Sequence, residues 1–260
     1  MSAPDDRRGL SVVVPCYNER GGVDQLHHAL QRLAAALAGR GWRAEFLLVD
    51  DASSDDTLGL LRRRFAGDPA VRVLHHRRNR GVAGAIQTGL RAARHPLAAS
   101  IDADCSYDPL LLVDMLPLLD EDTALVTASP YHPRGAVEGV PGWRLALSRL
   151  ASRLYGVLLR NRLHCYTSCF RLYRRALVAD ERLCFTGFAG VPELLWRVDR
   201  RGLRCREYPA TLRRRRHGQS KMRLARALGE HARLLLLIAG ERSGMYKLFT
   251  GKLFSICPRK

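Results

Sequence analysis

The sequence predicts an α/β protein with a mostly parallel central sheet flanked by helices. Three observations predict it. Short apolar runs of strand length alternate with helical patterns through the first half of the chain, as in βαβ units with right-handed crossovers. The runs are nearly unbroken, as strands buried on both faces are. Three of them open at their ends into polar or acidic residues: Pro15-Cys-Tyr-Asn-Glu19, Asp50-Asp51-Ala-Ser-Ser-Asp55 and Asp102-Ala-Asp104. In open α/β sheets ligands sit at the carboxyl ends of strands, so these loops should share one functional edge.

Residues 10–14 are largely β-branched and read as a strand that Pro15 stops, with a loop over 15–19. Over 23–37, Leu26, Ala29, Leu30, Leu33 and Leu37 recur at helical spacing, and Gly39 and Gly41 end the helix. Residues 46–49 form a second strand, and 58–65 a helix capped from the acidic cluster between them. A third strand spans 71–74, and 81–93 is a helix of small residues able to approach a sheet closely. The fourth strand, 97–101, runs into Asp102 and Asp104. In the second half, 125–128 reads as a strand and 129–142 as a Gly/Pro-rich loop. Residues 143–160 read as a long amphipathic helix, 167–173 as a strand or turn, and a helix opens on Pro192 at its first position. From Arg223 onward Arg and Leu recur at helical spacing. Packing onto the body is the commoner use of such a face, and a membrane interface the other.

Composition narrows the partners. The 260 residues hold 43 basic and 25 acidic side chains, a net charge of +18, and only Lys221, Lys247, Lys252 and Lys260 among the basic ones are lysine. That points to anionic partners without naming them. No recognised nucleic-acid motif or aromatic-studded basic strand accompanies the charge. The seven cysteines include no Cys-x-x-Cys, and Cys165, Cys169 and His164 lack a second ligand pair for zinc. The N-terminus has no signal-peptide core, and the apolar block at 234–239 is far short of the ~20 residues that span a bilayer. The expected location is the cytosol, with the tail available for peripheral contact at the cytoplasmic membrane face.

Asp102 and Asp104 stand one residue apart where a strand ends, so both project to one side and repel unless a cation lies between them. An oxygen-rich pair with open positions suits Mg²⁺ or Mn²⁺ shared with a substrate phosphate. The alternative is that one of them caps a helix opening at Pro109. No Gly-x-Gly-x-x-Gly follows the first strand and no P-loop motif occurs, which disfavours a dinucleotide site and excludes a P-loop NTPase.

The three edge loops, with Asn79-Arg-Gly81, Trp143-Arg144, Thr167-Ser-Cys-Phe-Arg-Leu-Tyr173 and Arg215-x-x-Gly218-x-Ser220-Lys221, resemble family 2 glycosyltransferases of the GT-A (Rossmann-like) fold. Within that family they look most like the dolichyl- or polyprenyl-phosphate mannose synthase branch. The resemblance implies one catalytic domain over 1–222, with a nucleotide-sugar half at about 8–128 and an acceptor half at about 129–222, and a basic amphipathic tail over 223–260. It implies that Pro15, Tyr17, Glu19, Asp51 and Asp102 bind the nucleotide sugar, with Arg215, Ser220 and Lys221 closing over its phosphates. Asp102 and Asp104 would carry Mg²⁺ or Mn²⁺, and Arg144 and Ser148 would meet the acceptor phosphate.

The reaction implied is a single inverting displacement. The donor is a nucleoside diphosphate sugar such as GDP-mannose, UDP-glucose or UDP-GlcNAc, and the acceptor a polyprenyl phosphate. A hydroxyl acceptor would also need a base, for which Glu193 is the candidate; an acid there also complements a helix dipole. The departures lie on the acceptor side. Pro130 replaces an arginine, with Arg134 near enough to compensate, while Cys165, Cys169 and Ser106 also differ from the usual pattern. Two other functions therefore stand beside the first. One is a transferase acting on a soluble small molecule, such as a nucleoside in antibiotic biosynthesis. The other, of a different class, is a non-catalytic basic module binding membrane or RNA.

Overall fold

A computed structural model describes residues 8–215 and 224–243. The first half runs β1 (Gly9–Cys16), α1 (Val23–Ala38), β2 (Arg43–Asp50), α2 (Thr57–Arg64), β3 (Val71–His75), α3 (Val82–Ala92), β4 (Leu97–Ser100) and α4 (Leu111–Met115). The second runs β5 (Thr123–Ser129), β6 (Ala136–Glu138), α5 (Gly142–Leu158), β7 (Arg171–Arg174), α6 (Gly190–Asp199), β8 (Arg204–Pro209), β9 (Thr211–Arg213) and α7 (Leu224–Arg242).

Seven strands form one sheet in the order β3-β2-β1-β4-β7-β5-β8. Its first four strands are parallel, β7 runs antiparallel between β4 and β5, and β8 is parallel to β5. Strand alternation builds the two faces. Val12, Val14, Phe46 and Leu48 join α1, α2 and α4 in one core layer, while Val13, Leu47 and Val49 join α3, α5, α6 and α7 in the other. Helix α3 comes so close that a Cβ on Gly89 would lie 2.3 Å from Val13 Cγ1, which is why its residues are small.

The structure differs from the sequence expectation at several places. Pro15 does not stop β1, which continues to Cys16 beside β2. Pairing with β4 ends at Val13 and Ser100, with one further bond from Ile101 N to Val13 O, so the amide that Pro15 lacks would face a position β4 has already left. Helix α6 begins two residues before Pro192, whose missing amide falls within the unpaired first turn. Strand β8 was not anticipated: its Arg204, Arg206 and Glu207 are the charges that an edge strand carries. Strands β6 and β9, three residues each and paired in parallel, are too short to show a period. Helix α7 packs on the body through Ala227, Leu234, Leu237 and Ile238.

Candidate active site

The parallel strands deliver their C-terminal loops to one edge. Three non-glycine residues there have left-handed backbone: Asn18 after β1, Ala52 after β2 and Cys105 after β4, with φ of 54°, 58° and 51°. Strain of this kind persists where surrounding structure enforces it, commonly at binding sites. Hydrogen bonds between the loops supply the enforcement. Asn18 N donates to Ser53 Oγ (3.0 Å), Ser54 N to Asn18 Oδ1 (2.7 Å) and Glu19 N to Thr57 Oγ1 (2.8 Å).

A cleft of about 220 Å³ lies at this edge, lined by Pro15, Tyr17, Glu19, Asp51, Asp102, Asp104 and Arg215 among others. Seven residues that the sequence singled out for the donor therefore come together. Asp51 is buried, and its carboxylate accepts from Arg80 N (2.8 Å), Gly81 N (2.7 Å) and His76 Nδ1 (2.7 Å). Those bonds fix the Asn79-Arg-Gly81 turn as a wall of the cleft. Gly81 has φ +85°, and a Cβ there would lie 2.6 Å from Thr186 O, so only glycine fits.

The two central carboxylates behave differently. Asp104 Oδ1 accepts Ser106 N at 2.9 Å, closing a local turn. Its Oδ2 accepts Arg215 Nε and Nη2 at 2.9 and 2.6 Å. Arg215 Nη2 also lies 3.4 Å from Glu19 Oε1. Burial, then the Asp104 charge, push the Asp102 carboxyl up to about 7 against the pull of Arg215. Burial opposes the charge on Arg215, but Asp104 and then Glu19 outweigh it and hold its pKa above the ordinary value. Neither aspartate caps α4. The N-cap position of α4 is Leu110, with no side-chain cap, and Asp108 Oδ1 accepts Leu110 N at 3.1 Å in the turn before it, so the capping alternative for the pair falls away.

This donor set fits a hard divalent cation: oxygen ligands, one carboxylate pushed up by burial and by the charge of its neighbour, and a cation already drawn to the other. Arg215 Nη1 is buried without a hydrogen-bond partner, a donor left for an anion.

A second cavity, of about 290 Å³, adjoins the first, with Phe188 in the wall of both. It is mostly apolar and lies between α5 and α7. Arg144, Ser148, Thr167, Tyr131 and His231 are its polar lining. Ser148 Oγ and Thr167 Oγ1 are 2.8 Å apart, and the Arg144 guanidinium stacks 5.1 Å from the Trp143 ring centre with its Nε buried and unpartnered.

Two expected residues are elsewhere. Arg134 is exposed, lines neither cavity, and bonds through its backbone amide to His132 Nδ1 (3.1 Å). Glu193 is fully buried and lines neither cavity. It accepts Cys184 N and Phe185 N at 2.8 Å each, and Arg197 at 2.9 and 2.7 Å. With two backbone amides and Arg197 bound to its carboxylate, it holds the loop that carries Thr186 and Phe188. Ser220 and Lys221 lie outside the described residues. Phe188, His231 and His76 were not foreseen. A lone aromatic in a patternless loop gives no signal, and the two histidines gain meaning only from partners far away in sequence.

Residues 11–181 match the family model described as Glycosyl transferase family 2. A polyprenol monophosphomannose synthase of Mycolicibacterium smegmatis is 31% identical over 223 residues, covering 81% of this chain and 80% of that protein. A dodecaprenyl-phosphate galacturonate synthase of Rhizobium johnstonii is 32% identical over 84% of this chain but only 62% of its own length. An undecaprenyl-phosphate mannosyltransferase of Micrococcus luteus is 31% identical over 81% of this chain and 86% of its own. Among solved structures, glucosyl-3-phosphoglycerate synthase from Mycobacterium tuberculosis, in complex with Mn²⁺, uridine-diphosphate-glucose and phosphoglyceric acid, superposes with a TM-score of 0.65 at 22% identity, covering 91% of this chain and 80% of that one. The likeness shows the fold, GT-A.

Proposed function

The chain belongs to glycosyl transferase family 2 and is a glycosyltransferase, and from that premise we propose that it moves a sugar from a nucleoside diphosphate sugar to a polyprenyl phosphate. The observation that carries this reading is the meeting of two unlike cavities at Phe188. One is edged by the charged side chains of Glu19, Asp102, Asp104 and Arg215, suited to a diphosphate. The other is apolar with Arg144 in its wall, suited to a phosphate on a hydrocarbon chain. The relatives named for polyprenyl-phosphate acceptors support the same choice.

Asp102 and Asp104 would hold Mg²⁺ or Mn²⁺, which when bound neutralises the leaving diphosphate. Arg215, already charged and with Nη1 unpartnered, turns from Asp104 toward the phosphates. Asp51 holds the Arg80 and Gly81 amides so that the nucleoside wall is formed before the donor arrives. Arg144 orients the acceptor phosphate, which is ionised and needs no base. The second cavity is lined by no Asp or Glu among the described residues, which favours this acceptor over a hydroxyl that must be deprotonated. The test is to incubate the protein with GDP-mannose, UDP-glucose or UDP-GlcNAc, Mn²⁺ and a polyprenyl phosphate. A labelled lipid product is expected. Donor hydrolysis without lipid product, and transfer to a soluble nucleoside instead, would overturn the acceptor assignment.

The same reading places the protein at a membrane surface. No described helix is long and apolar enough to cross a membrane. Of the large apolar side chains left exposed, Trp143, Leu150, Leu154 and Val157 lie on α5, and Leu224, Leu228 and Leu236 on α7, with Val157 68% and Leu236 64% exposed. The two helices are tied together where Arg242 donates to Val157 O and Leu158 O at 3.0 and 2.8 Å. Exposed Arg153, Arg160 and Arg233 lie among these residues, α5 contains no acid, and Glu230 and Glu241 of α7 are paired with arginines. An apolar face set in arginine fits an anionic bilayer, where each basic residue contributes about 1 kcal/mol. The protein should sediment with phosphatidylglycerol vesicles and much less with phosphatidylcholine vesicles. Leu150→Glu combined with Val157→Glu should abolish binding. Equal binding by that variant would refute the face.

A further inference from the structure

The second cavity has a wall that no family motif supplies. It comes from α7, which contributes His231 to the cavity that Arg144 also lines. His231 is set by a specific contact: the Tyr155 hydroxyl of α5 lies 2.8 Å from its Nδ1, with the two rings 5.9 Å apart, edge to face. Burial, with a further push from Glu193, raises the Tyr155 phenol far above its ordinary range, so the hydroxyl stays protonated and the contact with Nδ1 is a hydrogen bond between neutral groups. Burial also holds His231 below the ordinary histidine range, against a pull from Glu230, so the ring is neutral. A neutral imidazole that accepts at Nδ1 carries its proton at Nε2. The carboxylate of Glu230 is turned away to Arg226 Nε at 2.9 Å.

We propose that His231 accepts the Tyr155 hydroxyl at Nδ1 and is a ligand of the acceptor phosphate, presenting Nε2–H into the cavity that Arg144 also lines. The proposal rests on the polyprenyl-phosphate reading above and extends it to a helix outside the matched family region. Chemistry favours the pair. One fixed cation draws the phosphate in. A second, neutral donor holds another of its oxygens without adding the charge that would blunt the attacking one. It also answers the loss of cation at Pro130. The donor missing from the loop after β5 is replaced from α7, whereas Arg134 stays at the surface. Tyr155 is then a positioning residue, because it fixes which nitrogen of His231 bears the proton.

Geranyl phosphate, a soluble short-chain prenyl phosphate, tests this by calorimetric binding and as an acceptor in initial-rate assays. His231→Leu should weaken its binding and raise its KM about ten-fold or more, the loss of one hydrogen bond to a charged group. Donor KM and melting temperature should stay near those of the wild type. His231→Gln, whose amide can donate in place of Nε2–H, should recover most of the loss, and Tyr155→Phe should fall between. Geraniol, which lacks the phosphate, should bind all four proteins alike. If geraniol and geranyl phosphate lose affinity together, His231 merely packs and the proposal is overturned. If the wild type uses geranyl phosphate and His231→Leu uses it equally well, the proposal fails while the acceptor reading stands. If the wild type neither binds nor uses it, both fail.

Discussion

Asp104→Asn is expected to lower kcat by about three orders of magnitude, the equivalent of the several kcal/mol that neutralising a leaving diphosphate supplies. The substitution is close to isosteric and keeps an oxygen for the Ser106 amide now 2.9 Å away, so the turn after β4 should survive. What it removes is charge. Asp104 is the main partner of Arg215, at 2.6 and 2.9 Å, and stands beside Asp102, whose carboxyl is already pushed up to about 7. With Asp104 neutral, Arg215 loses its strongest anchor, and the proposed metal would lose one of its two carboxylates. Rates at saturating donor, measured with Mn²⁺ and with excess EDTA for both proteins, separate these effects. The wild type should fall in EDTA to near the level of the variant, and the variant should respond little. Full activity of Asp104→Asn in EDTA would remove the metal from the mechanism and leave Arg215 as the cation that matters.

The sequence displays the donor side of this molecule because that side is built from consecutive residues. Each parallel strand is a short apolar run, and each hands its ligands to the residues that immediately follow it. Pro15, Tyr17, Glu19, Asp51, and Asp102 with Asp104 can therefore be found without knowing the fold, and all of them line one cleft. The proposed acceptor side is built across long separations. Ser148 meets Thr167, Tyr155 meets His231, and Phe188 reaches the cleft only because Glu193 grips the amides of Cys184 and Phe185. No periodicity encodes such pairings. Strand β7 was equally hard to read: Arg171 is fully buried in the sheet, and only its bonds to Val191 O and Tyr166 O make that tolerable. A motif can place an arginine in a line of text. It cannot say that the guanidinium faces inward to two carbonyls.

Glu193 is where the two kinds of reading diverge most, and its removal should therefore be informative. As a catalytic base it would be expendable for stability and decisive for rate, with a loss of about 10²–10⁴ on substitution. As the structure places it, the reverse holds. Its carboxylate satisfies two backbone amides and pairs with Arg197 at 2.7 Å in a site closed to solvent. Burial raises its pKa while the Cys184 amide and the charge of Arg197 oppose that rise. Glu193→Ala leaves those amides without their acceptor and Arg197 without its closest carboxylate. Breaking one side of such a buried pair costs about 3–5 kcal/mol. Urea unfolding followed by circular dichroism should show that loss. Glu193→Gln, which keeps an acceptor for one amide and most of the volume, should lose less. Because Arg197 Nη1 also lies 3.5 Å from Glu181, part of its charge remains compensated, which argues for the lower end of the range. Turnover per folded molecule, measured well below the melting temperature, should fall only as far as the Thr186 and Phe188 loop loosens, and its pH profile should keep its shape. A variant as stable as the wild type but slower by a hundred-fold, with a limb gone from the pH profile, would instead restore Glu193 as a base and with it a hydroxyl acceptor.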